Sequence, residues 1–296
     1  MKNVPPLTLG QVNMYHKDGF LAPFYVLSEE EAEEILAASE ERLKRKDTLK
    51  YELTDPFSVK IKKDDSNKDI FLFGDGKDSE PHIHGFLFNQ WKEDERFRKI
   101  ATNPQIGRLA SQLLDGRPVR LWEDNVIIKS PGAKPISWHQ DQGYWAVDWN
   151  ASDNFLTITV ALSCLTRENG GLLQVVPGSH NDKQTETLPV NFGSDKSIMG
   201  DYRPKAKDIS QNPEKDGYTV LEYPPLKPGL AGAHHPLLWH ASGSNNTKKS
   251  RYILALRYVA EGTVWRGNER FPSDDVGLKP GDLISGEHFP LVYQGS

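Results

Sequence analysis

Apolar residues return at two different intervals along the chain, and the interval changes near residue 119. Before it the spacing is mainly helical. Leu9 to Asp18 reads as a short helix stopped by Gly19, with Phe20-Leu21-Ala22 as a strand behind it. Ser28-Glu29-Glu30-Glu31 is a capping-box sequence, serine and glutamate each satisfying a backbone N–H of the other. It precedes Ala32, Ile35, Leu36 and Leu43 on one apolar stripe, and Arg42-Leu43-Lys44-Arg45-Lys46 is the solvated end of that helix. Lys60 to Lys68 is a polar loop leading to Phe71-Leu72-Phe73. Phe88 to Leu114 forms a second helical region that buries Trp91, Phe97, Ile100, Ile106, Leu109, Leu113 and Leu114 and closes at Gly116.

From Val119 onward the interval is two. In Leu121 to Lys129, Trp122, Val126 and Ile128 fall on one side and Glu123, Asn125 and Lys129 on the other, a face polar enough to line a site. Pro131-Gly132 ends this strand and Ile136 starts the next. Leu156 to Leu162 alternates large apolar residues with Thr157, Thr159 and Ala161, whose small side chains leave room for a ligand. Glu168-Asn169-Gly170-Gly171 is a turn into Leu172 to Val176, which Pro177-Gly178-Ser179-His180 terminates. Tyr223 to Leu230 is a Pro-rich edge segment. In Arg251 to Val259, Arg251 and Arg257 share a face with Ile253 and Ala255. Two guanidinium groups aimed into a barrel need anions against them, which implies a carboxylate-bearing ligand. Roughly eight short strands after two helical segments predict a mainly β fold with flanking helices, a jelly roll of two packed sheets.

Length and composition narrow the classes. The 296 residues fit a single domain over 1–296: a mostly helical part over 1–118, a jelly-roll core over 119–260 and a tail over 261–296. Within the core, 181–218 is long and irregular, which suits a lid over a substrate. No apolar run is long enough to span a bilayer, and Met1 to Pro6 lacks a signal-peptide layout, so the expected location is cytoplasmic. A net charge of -5 without a long basic block argues against nucleic acid as partner. Cys164 is the only cysteine, which excludes an intrachain disulfide and disfavours a thiolate cluster.

The candidate chemistry centres on Ser137-Trp138-His139-Gln140-Asp141-Gln142-Gly143-Tyr144-Trp145. Residues two apart on an extended backbone point the same way, so His139 and Asp141 present an imidazole and a carboxylate to one cavity. Trp138, Tyr144 and Trp145 supply aromatic walls for a small-molecule pocket. A third ligand arrives if Trp239-His240-Ala241-Ser242-Gly243 folds back alongside, with His234 and His235 as competitors for the position. Two histidines and a carboxylate on one face suit non-haem Fe(II). His82 and His84 have ligand-like spacing, but Pro81 and Gly85 frame a turn and no nearby carboxylate completes a set.

At this point the sequence resembles the phytanoyl-CoA dioxygenase family of Fe(II)- and 2-oxoglutarate-dependent oxygenases, which have a double-stranded β-helix (cupin-like) core. The pieces that carry the resemblance are Asp18-Gly19-Phe20, Lys129-Ser130-Pro131-Gly132, His139-Gln140-Asp141 with Tyr144-Trp145, Glu168-Asn169-Gly170, Pro177-Gly178-Ser179-His180, and His240 through Ser242 to Arg251. The resemblance implies His139, Asp141 and His240 as metal ligands, His240 being preferred because Ser242 and the distance to Arg251 follow it as in the family. It implies Arg251 as the clamp on 2-oxoglutarate, helped by Ser242 and Thr157, with Asn125 and Lys129 as further candidates. Tyr144 and Trp145 are expected against the substrate, and His180 is expected to hydrogen-bond at a strand end. The implied reaction consumes O2 and 2-oxoglutarate, releases succinate and CO2, and oxidises a small molecule. Hydroxylation is the simplest outcome; desaturation, ring formation and epoxidation are variants. Halogenation is disfavoured, because related halogenating enzymes carry a small residue where this chain has Asp141. The chain departs from the family at Leu230, which follows Gly229 where an Asp is common.

Overall fold

The computed structural model describes residues 3–44, 51–55, 58–61, 70–73, 84–142, 154–182, 212–265 and 277–295, with backbone alone for 51–84 and 137. Its larger sheet runs, in spatial order, β1 (Phe20–Tyr25), β11 (Leu230–His234), β8 (Phe155–Ala161), β13 (Arg251–Ala260), β6 (Val119–Lys129), β5 (His84–Phe88), β4 (Ile70–Phe73), β3 (Ser58–Ile61) and β2 (Tyr51–Asp55), and β14 (Leu291–Tyr293) also pairs with β6. The smaller sheet runs β10 (Leu221–Glu222), β9 (Leu173–Val175), β12 (His240–Ser242) and β7 (Ile136–His139). Every one of these ladders is antiparallel. The fold is a jelly roll with a cupin-like core, and helices cover the outer face of the larger sheet.

The helices form where local sequence satisfies their ends. Thr8 and Gln11 make a reciprocal capping box for α1 (Leu9–Asp18), and Gly19 ends it in a left-handed conformation (φ 80°). A Cβ at Gly19 would also collide with the His180 ring, so this turn is glycine for two reasons. Ser28 and Glu31 cap α2 (Glu29–Lys44) in the same reciprocal way. The helical region expected from Phe88 to Leu114 is divided among three helices: α3 (Gln90–Glu93), α4 (Glu95–Ala101) and α5 (Pro104–Leu113). Asp94 and Asn103 adopt extended backbone and turn their side chains onto the first N–H groups of α4 and α5, which breaks the run twice.

Alternation decides which side of the larger sheet is dry. Val126, Ile128, Leu156, Ile158, Val160, Leu254 and Leu256 point outward and form one buried cluster with Phe97, Ile106, Leu109 and Leu113 from the helices. The β6–β13 ladder slips by one residue at Trp122. Leu121 therefore joins this core, while Trp122 packs with Phe155, Val259, Trp265, Ile284 and Phe289. The expected tail is thus packed in part, and it adds β14.

The part before residue 119 is less helical than its sequence suggests, since it supplies five strands, all in the larger sheet. Residues 183–211, most of the expected lid, lie outside the described residues. Leu230 opens β11 opposite Tyr25, and Gly229 (φ 85°) turns there with its carbonyl accepting from Val26 and Leu27, so the turn forms without the family's Asp. Among the described residues no helix is long and apolar enough to cross a membrane.

Candidate metal centre

Two paired strands and the turn after one of them deliver the three candidate ligands. His139 ends β7, and its register partner on β12 is His240, so strand pairing sets the two imidazoles side by side with ring centroids 4.1 Å apart. Asp141 follows two residues after His139, in the turn beyond the strand, and its carboxylate comes back to the same side. The ligand atoms of His139, Asp141 and His240 all lie within 4.8 Å of one another. Nε2 of His139 and Nε2 of His240 stand 3.7 and 3.6 Å from Oδ1 of Asp141. These gaps are too long for hydrogen bonds, yet they match ligand atoms that each sit about 2.1 Å from a common ion, which are spaced ~3.0 Å at right angles and ~4.2 Å when opposite. His240 Nδ1 donates to the Leu238 carbonyl at 2.8 Å, which fixes the tautomer that leaves Nε2 bare. The donor set and its spacing fit a divalent transition metal.

Asp141 has its two oxygens divided between the sheets. Oδ1 faces the imidazoles of the smaller sheet. Oδ2 accepts from His234 Nε2 at 3.0 Å and from Thr157 Oγ1 at 3.3 Å, both on the larger sheet. Burial by itself would raise the Asp141 carboxyl, but the imidazoles of His240, His234 and His139 outweigh it and hold the group well below the usual carboxylate range. Burial, with His139 next, pushes His240 well below the ordinary histidine value. An ionised carboxylate beside neutral imidazoles is the protonation state a cation requires.

A second polar cluster gathers at Ser242, two residues along β12 from His240. Arg251 begins β13 directly opposite Lys129 at the end of β6. Arg251 is 2% exposed and Lys129 0%, and two buried cations side by side are costly. Arg251 Nη2 donates to the Gly170 carbonyl at 3.2 Å, its Nε finds no hydrogen-bond partner, and among the described residues no carboxylate pairs with it. Lys129 Nζ donates to Ser242 Oγ at 3.0 Å and to the Gly243 carbonyl. Burial lowers Arg251 to about 10, and burial followed by Arg251 lowers Lys129 to about 6. Gly170 holds a left-handed turn (φ 62°), and a Cβ there would strike the Gly243 carbonyl, so the glycine lets its own carbonyl reach Arg251. Asn125, 1% exposed on the same strand as Lys129, has an unpartnered Oδ1.

Sequence-derived expectations meet this geometry unevenly. His139, Asp141 and His240 converge; Arg251, Lys129 and Ser242 form the neighbouring cluster. Thr157 is placed against Asp141. Arg257 departs from the expectation that it would face a ligand carboxylate: its Nη1 donates to Glu123 Oε1 at 2.6 Å, so the protein itself neutralises it and Arg251 alone retains the unmet demand. Trp138 departs too. Its neighbour His139 points inward, so alternation turns Trp138 outward, where it packs against Val176 and Trp239. Tyr144, Trp145 and His82 lie outside the described residues, and so does the side chain of His84. His180 sits in a 3-10 turn (Ser179–Asn181), its Nε2 3.1 Å from the His16 carbonyl. The contact sequence reasoning missed is His234 to Asp141; the signal was the pairing of His234 with Thr157 across β11 and β8.

Fold and centre together define a jelly-roll protein with a two-histidine, one-carboxylate metal cup. Comparison with known proteins gives the same class. The family profile described as Phytanoyl-CoA dioxygenase (PhyH) matches residues 15–253. A probable alpha-ketoglutarate-dependent hypophosphite dioxygenase of Stutzerimonas stutzeri is 30% identical over 146 residues, 49% of this chain and 46% of that protein. Phytanoyl-CoA dioxygenase domain-containing protein 1 of Danio rerio is 26% identical over 171 residues, 57% of this chain and 55% of that one. The chain thus spans about half the length of the curated relatives it matches. Among solved structures, the non-heme alpha ketoglutarate dependent carbocyclase SnoK from nogalamycin biosynthesis shares the fold, with a TM-score of 0.71 at 21% identity over 96% of each chain. This chain belongs to the phytanoyl-CoA dioxygenase family.

Proposed function

We propose that the protein is an Fe(II)- and 2-oxoglutarate-dependent dioxygenase that hydroxylates a C–H bond of a small-molecule metabolite in the cytoplasm. The observation that carries this reading is the pairing of two half-sites through β12: three converging ligand side chains at His240, and, past Ser242 and Lys129, a buried guanidinium that pairs with no carboxylate among the described residues. Alpha-ketoglutarate dependence in the names of the hypophosphite dioxygenase and of SnoK supports it. In this reading His139, Asp141 and His240 hold the ion through three positions and leave the rest for ligands. When bound, iron and 2-oxoglutarate together activate O2, the keto acid being converted to succinate and CO2.

The remaining residues bind and orient. Arg251 takes the distal carboxylate of 2-oxoglutarate by charge-assisted hydrogen bonds, with Ser242 and Lys129 closing the same pocket. The unpartnered Oδ1 of Asn125 awaits a donor on a ligand. Tyr144 and Trp145 contribute the apolar wall against which the substrate is positioned. SnoK is named a carbocyclase, and ring formation, desaturation or epoxidation would need a different substrate placement and no different ligand set.

The test is anaerobic loading with Fe(II) and 2-oxoglutarate, then exposure to O2 with a substrate library. Succinate release and a product heavier by one oxygen atom are expected, and His139→Ala abolishes both. Succinate release that survives His139→Ala defeats the assignment.

A further inference from the structure

His234 is the one imidazole at the centre for which the proposed chemistry has no task. It is 3% exposed on β11, between β1 and β8, and its backbone is paired to Phe20 on one side and Thr157 on the other. Its Nε2 lies 3.0 Å from Oδ2 of Asp141, the oxygen that His139 and His240 do not face. Its Nδ1 is buried without a partner. A carboxylate acceptor requires the proton of a neutral imidazole on Nε2, which leaves Nδ1 bare. Nε2 is therefore committed, and His234 is not available as a third histidine ligand.

Asp141 lies beyond the end of β7, in a turn, and among the described residues the hydrogen bonds to its carboxylate come from His234 and Thr157 of the larger sheet. Carboxylates bind hard cations through one oxygen or through both. Chelation through both would consume a position that a bidentate keto acid or O2 needs. Thr157 donates to Oδ2 as well, at 3.3 Å, but a hydroxyl on one torsion fixes a carboxylate less firmly than a ring set into a central strand.

We infer that His234 is a positioning residue: it holds Oδ2 on the larger sheet so that Asp141 offers Oδ1 alone to the metal. The sheets are thereby tied together through one carboxylate, with cation and tether on opposite oxygens. This rests on the metal reading proposed above. Partners of this kind, which orient a ligand from behind, are worth about 10–100-fold in metal affinity.

Two substitutions separate donor from ring. His234→Phe keeps a ring of similar breadth and removes the N–H, and His234→Gln keeps a terminal N–H at a similar reach. Anaerobic titration gives Fe(II) affinity, and the visible absorption of bound Co(II) reports coordination number without any turnover. His234→Phe should bind Fe(II) about 10–100-fold more weakly and shift the Co(II) spectrum, and His234→Gln should restore both. An affinity and spectrum unchanged in His234→Phe, with metal lost from His139→Ala, overturn the tether and leave the metal centre standing. Equal loss in the Phe and Gln variants assigns the ring to packing and also overturns it. Metal binding that His139→Ala does not weaken defeats the centre itself, and the tether with it. If thermal melts show that His234→Phe does not fold, His234→Asn, whose shorter amide stops before Oδ2, carries the same expectation.

Discussion

The two faces of β6, β8 and β13 are made by the same strands and hydrogen-bond ladders, yet they do different work. Outward, Val126, Ile128, Leu156, Ile158, Val160, Leu254 and Leu256 meet the helices in a dry cluster. Inward, the polar residues Glu123, Asn125, Lys129, Thr157, Arg251 and Arg257 are buried. Each fully buried aliphatic on the first face stabilises the fold by about 1.5–3 kcal/mol. The charged groups of the second face cost free energy to bury, a cost that Glu123 offsets for Arg257 and that a ligand carboxylate would offset for Arg251. Parity along a strand therefore separates what holds the protein together from what it uses, and Arg257 with Glu123 is the place where this separation blurs.

That blurred place gives the largest expected effect. Glu123→Ala removes the carboxylate that pairs with the buried Arg257 guanidinium, and should lower stability by up to about 3–5 kcal/mol in chemical denaturation. A loss well under 1 kcal/mol would make the ion pair incidental. On the outer face, Leu256→Ala should cost about 2–5 kcal/mol through lost burial and a residual cavity. Below its unfolding range, that variant should bind Fe(II) as the parent does; a changed metal affinity would break the division between faces.

Arg251 sharpens the contrast from the other direction. Arg251→Met should weaken 2-oxoglutarate binding roughly 10–100-fold, the equivalent of about 1.5–3 kcal/mol for charge-assisted hydrogen bonds. It should leave Fe(II) affinity in place and raise the stability of the ligand-free protein, because an unmatched buried cation is removed. Isothermal titration and thermal melts on one preparation read both. A variant that loses stability and co-substrate affinity together would mark Arg251 as structural.

How much of this was legible in the chain follows from which contacts are local. His139 and Asp141 are neighbours two residues apart, and the caps at Thr8 and Ser28 need only their own next three residues. The inward set on β6, β8 and β13 follows from alternation within each strand. What alternation cannot supply is register across strands. Glu123 and Arg257 were each assignable to an inward face, but their meeting depends on the β6–β13 register, which runs unbroken from Arg251 opposite Lys129 to Arg257 opposite Glu123. His234 was read only as a rival ligand, because its tether to Asp141 arises when β11 pairs with β8. The shortest strands were also invisible: β10 has two residues and β12 and β14 three each, too few for a period to register, whereas β9 falls within the strand read from Leu172 to Val176 because turn residues bound it. Trp138 was placed in the pocket by composition, although the alternation that put His139 inward already excluded it.

The smallest expected effect concerns Lys129, and its sign follows from linkage. Its folded value is about 6 against an ordinary 10.5, lowered by burial first and by Arg251 second. Between those values the unfolded chain binds a proton that the folded chain lacks, so stability rises with pH across that window and the full cost of the buried ammonium is present below about 6. A dianion seated between Arg251 and Lys129 favours the charged amine and raises its pKa. Binding then takes up a proton above pH 6. Affinity for 2-oxoglutarate should fall as pH rises from about 6 toward the raised value in the complex, by at most about tenfold per pH unit for a single proton. Titrations at pH 7.5 in buffers of different ionisation enthalpy should show that uptake, and Lys129→Met should remove it and flatten the profile. A wild-type profile already flat from pH 6 to 9 would mean that Lys129 does not sense the anion, and that Arg251 alone holds the charge on that side of the cavity.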